Sequence, residues 1–233
     1  MWISKQLVLE EILKMSYNYN GDKMENYLLK FNKLPDNKLI KDMRTYAKEN
    51  KVPIINDEGL SFLLFIIKTR KSKRILEIGS AIGFSSINMA LMNEDIVIDT
   101  IERNEEMYNE AKKNIKKAKL DKRINLFLSD ALEMNFDLLM KDYDFIFIDA
   151  AKAQYTKFFT MYEPFLVKGG VIFSDNLIFH GLVNHSELIE SKRLKNLVLK
   201  IEKYNEWLAE LDSYDTTFFS IGDGIAVSEK KND

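Results

Sequence analysis

Three features of the sequence predict an α/β fold organised on one mostly parallel sheet. Short apolar runs recur at 75–78, 96–101, 124–128, 143–148 and 171–174, long enough for buried strands and too short for buried helices. Segments with the apolar spacing of helices lie around them, as in Met107, Ala111, Ile115 and Ala118. Every run ends in a polar or glycine-rich group, and in an open parallel sheet ligands bind outside the carboxyl ends of the strands.

The length of 233 residues suffices for one well-buried domain, and no Pro/Gly/Ser-rich linker divides it. With no cysteine, disulfides, thiolate metal sites and cysteine nucleophiles are excluded. The apolar runs are too short for a membrane span and the N-terminus has no signal-peptide core, so a cytoplasmic protein with no membrane partner is expected. A net charge of −2 argues against indiscriminate polyanion binding but leaves room for a local basic patch.

Residues 1 to about 50 have helical periodicity: Met24, Tyr27, Leu28 and Phe31, then Leu39, Met43, Tyr46 and Ala47, with Pro35 as the break between them. A helical cap over 1–50 on a core of 51–233 follows, the whole forming a single domain; the cap suits a lid, a dimer surface or ordinary packing. Pro53 makes Val52-Pro53-Ile54-Ile55 extended. Asp57 is placed to cap a helix running to Lys68, apolar nearly all round and therefore buried.

The first strand, Arg74 to Ile78, turns through Gly79-Ser80-Ala81-Ile82-Gly83 into a helix, and glycine lets backbone N–H groups approach a ligand. A dinucleotide fingerprint needs a third glycine where Ala81 stands, which disfavours an oxidoreductase. With Glu77 ahead of it, the loop suits S-adenosylmethionine, a ligand without pyrophosphate, or a tight turn with no ligand. Glu102 ends the second strand about 20 residues past the glycines, where a carboxylate can accept from both ribose hydroxyls. Asn104 caps the next helix, whose Lys112, Lys113, Lys116, Lys117 and Lys119, followed by Lys122 and Arg123, form either a solvated face or a phosphate-contacting patch. Asp130, after the third strand, can meet the adenine amino group. Gly169-Gly170 predicts a turn before the fifth strand. A long amphipathic helix from Leu194 to Leu211 leads to runs 216–221 and 225–228, joined by Gly222-Asp223-Gly224 as a hairpin. The sum is a Rossmann-like seven-stranded, mostly parallel sheet with one antiparallel strand and helices on both faces.

Asp149, Asp175 and Asn176 are three hard oxygen donors on two strand tips, with His180 and His185 near in sequence. They suit Mg²⁺, Mn²⁺ or Ca²⁺ better than zinc and leave positions for substrate oxygens. A hydroxyl chelated to such a cation loses its proton readily, so an in-line methyl displacement becomes accessible. Lys152, three residues past Asp149, can take that proton or stabilise the oxyanion.

These motifs together resemble the class I S-adenosylmethionine-dependent O-methyltransferases of the catechol and caffeoyl-CoA type, most densely at VPI (52–54), ILEIGSAIG (75–83), FIDAAK (147–152), GGVIFSDN (169–176) and GDG (222–224). The resemblance implies cofactor contacts drawn from Val52, Glu77, Gly79, Ser80, Ser85, Glu102, Asp130, Ala131 and Asp149. It implies metal ligation by Asp149, Asp175 and Asn176, catalysis by Lys152 and Asp149, and a homodimer. Ser129 and Ser220 stand where the family commonly has glycine and proline. Within the family, DAAKAQYTKFF and DNLIFHGLV are most similar to the bacterial tRNA 5-hydroxyuridine methyltransferases, which implies the anticodon loop of tRNA as partner. A small catechol-like or acyl-CoA acceptor, and a cofactor-binding module without catalysis, are the alternatives.

Overall fold

The structure, a computed structural model, describes residues 28–232 except 180, 184, 186 and 188. Met24, Tyr27 and His180 from the sequence predictions lie outside the described residues, as does most of the expected cap. The chain divides into compact units 1–34 and 35–233, and the second contains the whole sheet. In the first, residues 28–34 include a short helical turn, with Phe31 N donating to Leu28 O over 3.0 Å.

Helix α1 (Lys38–Asn50) and helix α2 (Asp57–Arg70) precede the sheet. Asn37 caps α1 by accepting from Ile40 N over 3.0 Å, and Ile40, Met43 and Ala47 bury its apolar stripe. Asn56, rather than Asp57, caps α2, accepting from Gly59 N over 2.8 Å. Asp57, one residue on, pairs instead with the Arg44 guanidinium of α1.

Seven strands follow: β1 (Arg74–Ile78), β2 (Val97–Glu102), β3 (Ile124–Leu128), β4 (Tyr143–Ile148), β5 (Leu166–Asp175), β6 (Tyr214–Phe219) and β7 (Ile225–Lys230). Between them lie α3 (Phe84–Ala90), α4 (Glu105–Lys117), α5 (Tyr155–Tyr162) and α6 (Lys192–Ala209). The spatial order is β3-β2-β1-β4-β5-β7-β6, with β1 to β5 parallel and β7 antiparallel to both of its neighbours. This is the Rossmann-like, mostly parallel seven-stranded sheet that the sequence predicts. The order reverses between β1 and β4, and at such a switch point the loops leaving adjacent strand tips diverge and open a crevice.

The central strands are apolar on both faces because helices cover them, and Ile75, Leu76, Ile78, Phe145, Ile146, Phe147 and Ile148 are fully buried. β5 differs from the expected 171–174: it starts at Leu166 and includes Gly169-Gly170. Leu166 pairs with Tyr143 and Val171 with Phe145, so the extra residues bulge out opposite β4 instead of turning the chain. A ring cluster seals this end of the sheet, with Phe159 edge-on to Trp207 at 5.1 Å and to Tyr214 at 4.9 Å.

Candidate active site

A cleft of about 500 Å³ opens above the carboxyl ends of β1, β2, β3 and β4. Its walls include seven residues singled out from the sequence: Val52, Gly79, Glu102, Asp130, Ala131, Asp149 and Lys152. Sheet register explains why they meet. Ile78 pairs with Ile101 and with Ile148, so the residues after β1 and β4 and the last residue of β2 leave the sheet at one level.

Gly79 begins the turn at the bottom of the cleft. Its N–H donates to Ile101 O over 3.0 Å, and the N–H of Asp149 donates to Ile78 O over the same 3.0 Å. These bonds draw the tip of β4 against the turn. Glycine is required here for two reasons: its φ is +98°, and a Cβ would fall far inside contact distance of the Asp149 carbonyl.

Glu102 is held by the backbone on both oxygens, with Oε2 accepting from Ala81 N over 2.9 Å and Oε1 from Asn104 N over 2.7 Å. That fixes the carboxylate facing the cleft before any ligand arrives, and each oxygen retains a lone pair for a hydroxyl donor. Asp130 Oδ1 accepts from Leu132 N over 2.9 Å, and Ala131 O accepts from the buried Tyr162 hydroxyl over 2.6 Å. Met107, Leu132 and Phe158 add apolar wall. The cleft thus pairs a fixed carboxylate with an apolar slot, which suits a ribose joined to a flat heterocycle.

Three of the expected cofactor residues do not line this cleft. Glu77 is buried below it, and its carboxylate accepts from the hydroxyls of Ser85 and Ser86 on α3 and of Thr100 on β2, the last over 2.5 Å. One carboxylate therefore ties together β1, α3 and β2. Burial pushes the Glu77 carboxyl up to about 7, against the opposite pull of its three hydroxyl donors. Ser85 is committed to Glu77, and Ser80 is buried with its hydroxyl 3.5 Å from Ala81 O.

Asp149 links the cleft to a second acidic group, made of Asp175, Asn176 and Asp223. Asp175, at the tip of β5, is buried, and its Oδ1 accepts from Asn176 N over 2.8 Å. Burial raises the Asp149 and Asp175 carboxyls above the usual carboxylate range; Asp223 pushes both further up, and the Lys152 ammonium pulls both down. Asn176 has a left-handed backbone, φ +73°, tolerable for asparagine. Its Nδ2 donates to Asp223 Oδ2 over 3.4 Å, while its Oδ1 is buried and accepts no hydrogen bond. A buried amide oxygen that accepts from no donor has the character of a cation ligand. Lys152 Nζ sits 5.7 Å from the centre of the Phe179 ring. His185 is turned to the surface, 3.7 Å from Glu187.

Asp223 carries a role that the sequence left unassigned, although the GDG motif marks the place. The lysines of α4 and Lys119 and Lys122 are exposed. Arg123 differs from them, because its Nη1 lies 2.8 Å from both Ala90 O and Asn93 O and so closes the loop before β2.

Comparison with known families matches residues 32–231 to the O-methyltransferase family. The chain is 29% identical over 219 residues to the caffeoyl-CoA O-methyltransferase of Stellaria longipes, covering 90% of this chain and 91% of that protein. A crystal structure from Staphylococcus aureus, provisionally named a caffeoyl-CoA O-methyltransferase, matches with a TM-score of 0.84 at 38% identity, covering 88% of this chain and 98% of that one. The O-methyltransferase from Bacillus cereus, solved in complex with SAH, shares the fold with a TM-score of 0.73 at 23% identity, covering 84% and 92% of the two chains.

Proposed function

The chain belongs to the O-methyltransferase family, and we propose that it moves the methyl group of S-adenosylmethionine to a hydroxyl oxygen of a small phenol or phenolic acyl-CoA ester with a second oxygen beside the first. The observation that carries this reading is the double position of Asp149, which lines the cleft and whose carboxyl interacts with those of Asp175 and Asp223. The S. longipes relative is named for caffeoyl-CoA, and the B. cereus neighbour was solved with SAH, the product that the cofactor leaves behind.

On this reading Glu102 accepts from the ribose hydroxyls, Asp130 and the Ala131 segment face the adenine, and Gly79 lies beside the amino-acid end. Val52 and Pro53 close the cleft from the segment before α2. Asp149, Asp175 and Asn176 would hold a divalent cation, Mg²⁺ or Mn²⁺, as their oxygen donors and the buried, unpartnered Asn176 Oδ1 support. When bound, it would acidify a chelated hydroxyl and fix its direction. The C–S bond of the sulfonium breaks as the O–C bond forms, its electron pair stays on sulfur, and the hydroxyl proton leaves for solvent. Lys152, whose charge acts on both Asp149 and Asp175, is suited to steady the negative charge on the attacking oxygen.

A second reading keeps the machinery and changes the acceptor to 5-hydroxyuridine in the tRNA anticodon loop. The runs DAAKAQYTKFF and DNLIFHGLV support it, together with the exposed lysines of α4. Caffeoyl-CoA and hypomodified tRNA, each incubated with labelled S-adenosylmethionine with and without Mg²⁺, separate the two. Label in the phenol alone is expected; label in tRNA alone selects the second reading, and label in neither refutes both. A homodimer belongs to the same proposal, and light scattering on the purified chain reads it.

A further inference from the structure

We propose that Asp223 is a positioning residue for the cation site: its carboxylate fixes the Asn176 amide so that the carbonyl oxygen, and not the NH₂ group, faces the ion. The inference rests on the metal reading of Asp149, Asp175 and Asn176 given above.

An amide is nearly symmetric in shape and opposite in polarity at its two ends. With Nδ2 donating to Asp223 Oδ2 over 3.4 Å, Oδ1 is the end left buried and unpartnered. Turned over, the amide would set its oxygen against a carboxylate and aim two N–H hydrogens where a cation has to sit. A single acceptor at position 223 therefore decides which face Asn176 offers.

The loop carrying Asp223 is held so that it can do this. Ile178 N donates to Asp223 O over 2.7 Å and Leu177 N to Gly224 O over 2.9 Å, so the loop is bonded to the residues just after Asn176. On its other side Gly222 N donates to Glu58 Oε2 over 3.2 Å. A Cβ on Gly224 would collide with Ile178, and one on Gly222 would press on the Asn56 side chain. The two glycines let the acidic residue between them come close enough to reach Asn176.

On this assignment Asp223 partners the amide and not the ion. Among the described residues no three His, Cys, Asp or Glu side chains converge to hold an ion. Two carboxylates, Asp149 and Asp175, and one neutral amide oxygen make the donor set, and an amide needs an orienting partner where a carboxylate does not.

The test is Mn²⁺ binding to the cofactor-free full chain by titration calorimetry, with Mn²⁺ spin resonance as a check. Asp223→Ala and Asp223→Ser should weaken Mn²⁺ by about 10–100-fold, the usual loss when a ligand's orienting partner is removed. Asp223→Asn should lose less, because its amide oxygen can still accept from Asn176. In an Asn176→Ala background, Asp223→Ala should have no further effect. Cooperative melting and unchanged S-adenosylmethionine affinity show that the variants are folded. Wild-type Mn²⁺ affinity in both Asp223→Ala and Asp223→Ser, or an equal loss from Asp223→Ala in the Asn176→Ala background, overturns this assignment and leaves the metal reading standing. A wild-type chain that takes up no Mn²⁺ overturns both.

Discussion

Glu77→Gln should make the protein more stable at neutral pH, and more so as pH rises. The carboxyl moves from an ordinary 4.5 in the unfolded chain to about 7 in the native one, because burial disfavours its charge more than three hydroxyl donors favour it. The native state therefore binds more protons between these values, and stability falls as pH rises through that window, levelling off above about 7. A gap of about 2.5 pH units at ~1.36 kcal/mol each gives about 3 kcal/mol. Glutamine has the same shape and carries no charge, and the Ser85, Ser86 and Thr100 hydroxyls can rotate to accept from its NH₂ as well as donate to its oxygen. The variant should match wild type near pH 4.5 and exceed it by up to about 3 kcal/mol at pH 8, or about 6–12 °C in Tm for a chain of this size. Urea melts of both proteins at pH 4.5, 6, 7 and 8 read this difference, and the raised Asp149 and Asp175 carboxyls cancel because both proteins contain them. A difference that stays flat over that range refutes the reasoning: the hydroxyls would then outweigh burial, and Glu77 would be an ordinary anion.

Gly79→Ala should cost 2 kcal/mol or more of stability, on the order expected for a strained left-handed residue with a clash added, and abolish measurable cofactor binding by calorimetry. Glu102→Gln should raise the KM for S-adenosylmethionine by about 10–100-fold with a smaller change in kcat, the loss of charge-assisted hydrogen bonds to ribose; an equal fall in kcat at saturating cofactor would contradict a binding role. Chelation with EDTA followed by dialysis should remove methyl transfer while leaving cofactor affinity measurable, and Mg²⁺ or Mn²⁺ should restore turnover. Full activity after chelation would exclude the metal from the mechanism. Lys152→Gln should lower kcat by about 10²-fold, with the pH profile keeping its wild-type shape if Lys152 acts by charge and losing a limb if it takes the proton.

Most of the sheet could be read from the sequence because its central strands are buried on both faces, so that each appears as a short, mainly apolar run with a polar or glycine residue at or just past its end. The exceptions are places where a distant part of the chain decides. Gly169-Gly170 resembles a turn locally and becomes a bulge only because β4 offers a partner on either side of it. Asp57 is a good capping residue, but it pairs with Arg44 of α1 and Asn56 takes the position. Arg123 has the charge of the lysines before it, but its guanidinium is engaged by the carbonyl that ends α3 and by one in the loop after it, an approach the sequence does not reveal. In the site, the residues at strand tips were legible because parallel strands deliver their ends to one edge. Glu77 was not, since strand alternation alone does not say whether it points up to a ligand or inward to three hydroxyls. Asp223 sits on the loop before the reversed strand β7, and its approach to Asn176 depends on the pairing of β5 with β7.

The missing Cβ at Gly79 has a mechanical result. At Asp149 main chain lies close to main chain, with no side chain of Gly79 between the end of the cleft proposed for the adenosyl group and the acidic end. A shift of a few tenths of an ångström imposed by a ligand on one loop is passed to the other as translation, because no side chain between them can rotate to absorb it. With cofactor and cation placed at these ends as proposed, their occupancy is expected to be linked, each changing the dissociation constant of the other by the same factor, which titrating either one in the presence of its neighbour would measure.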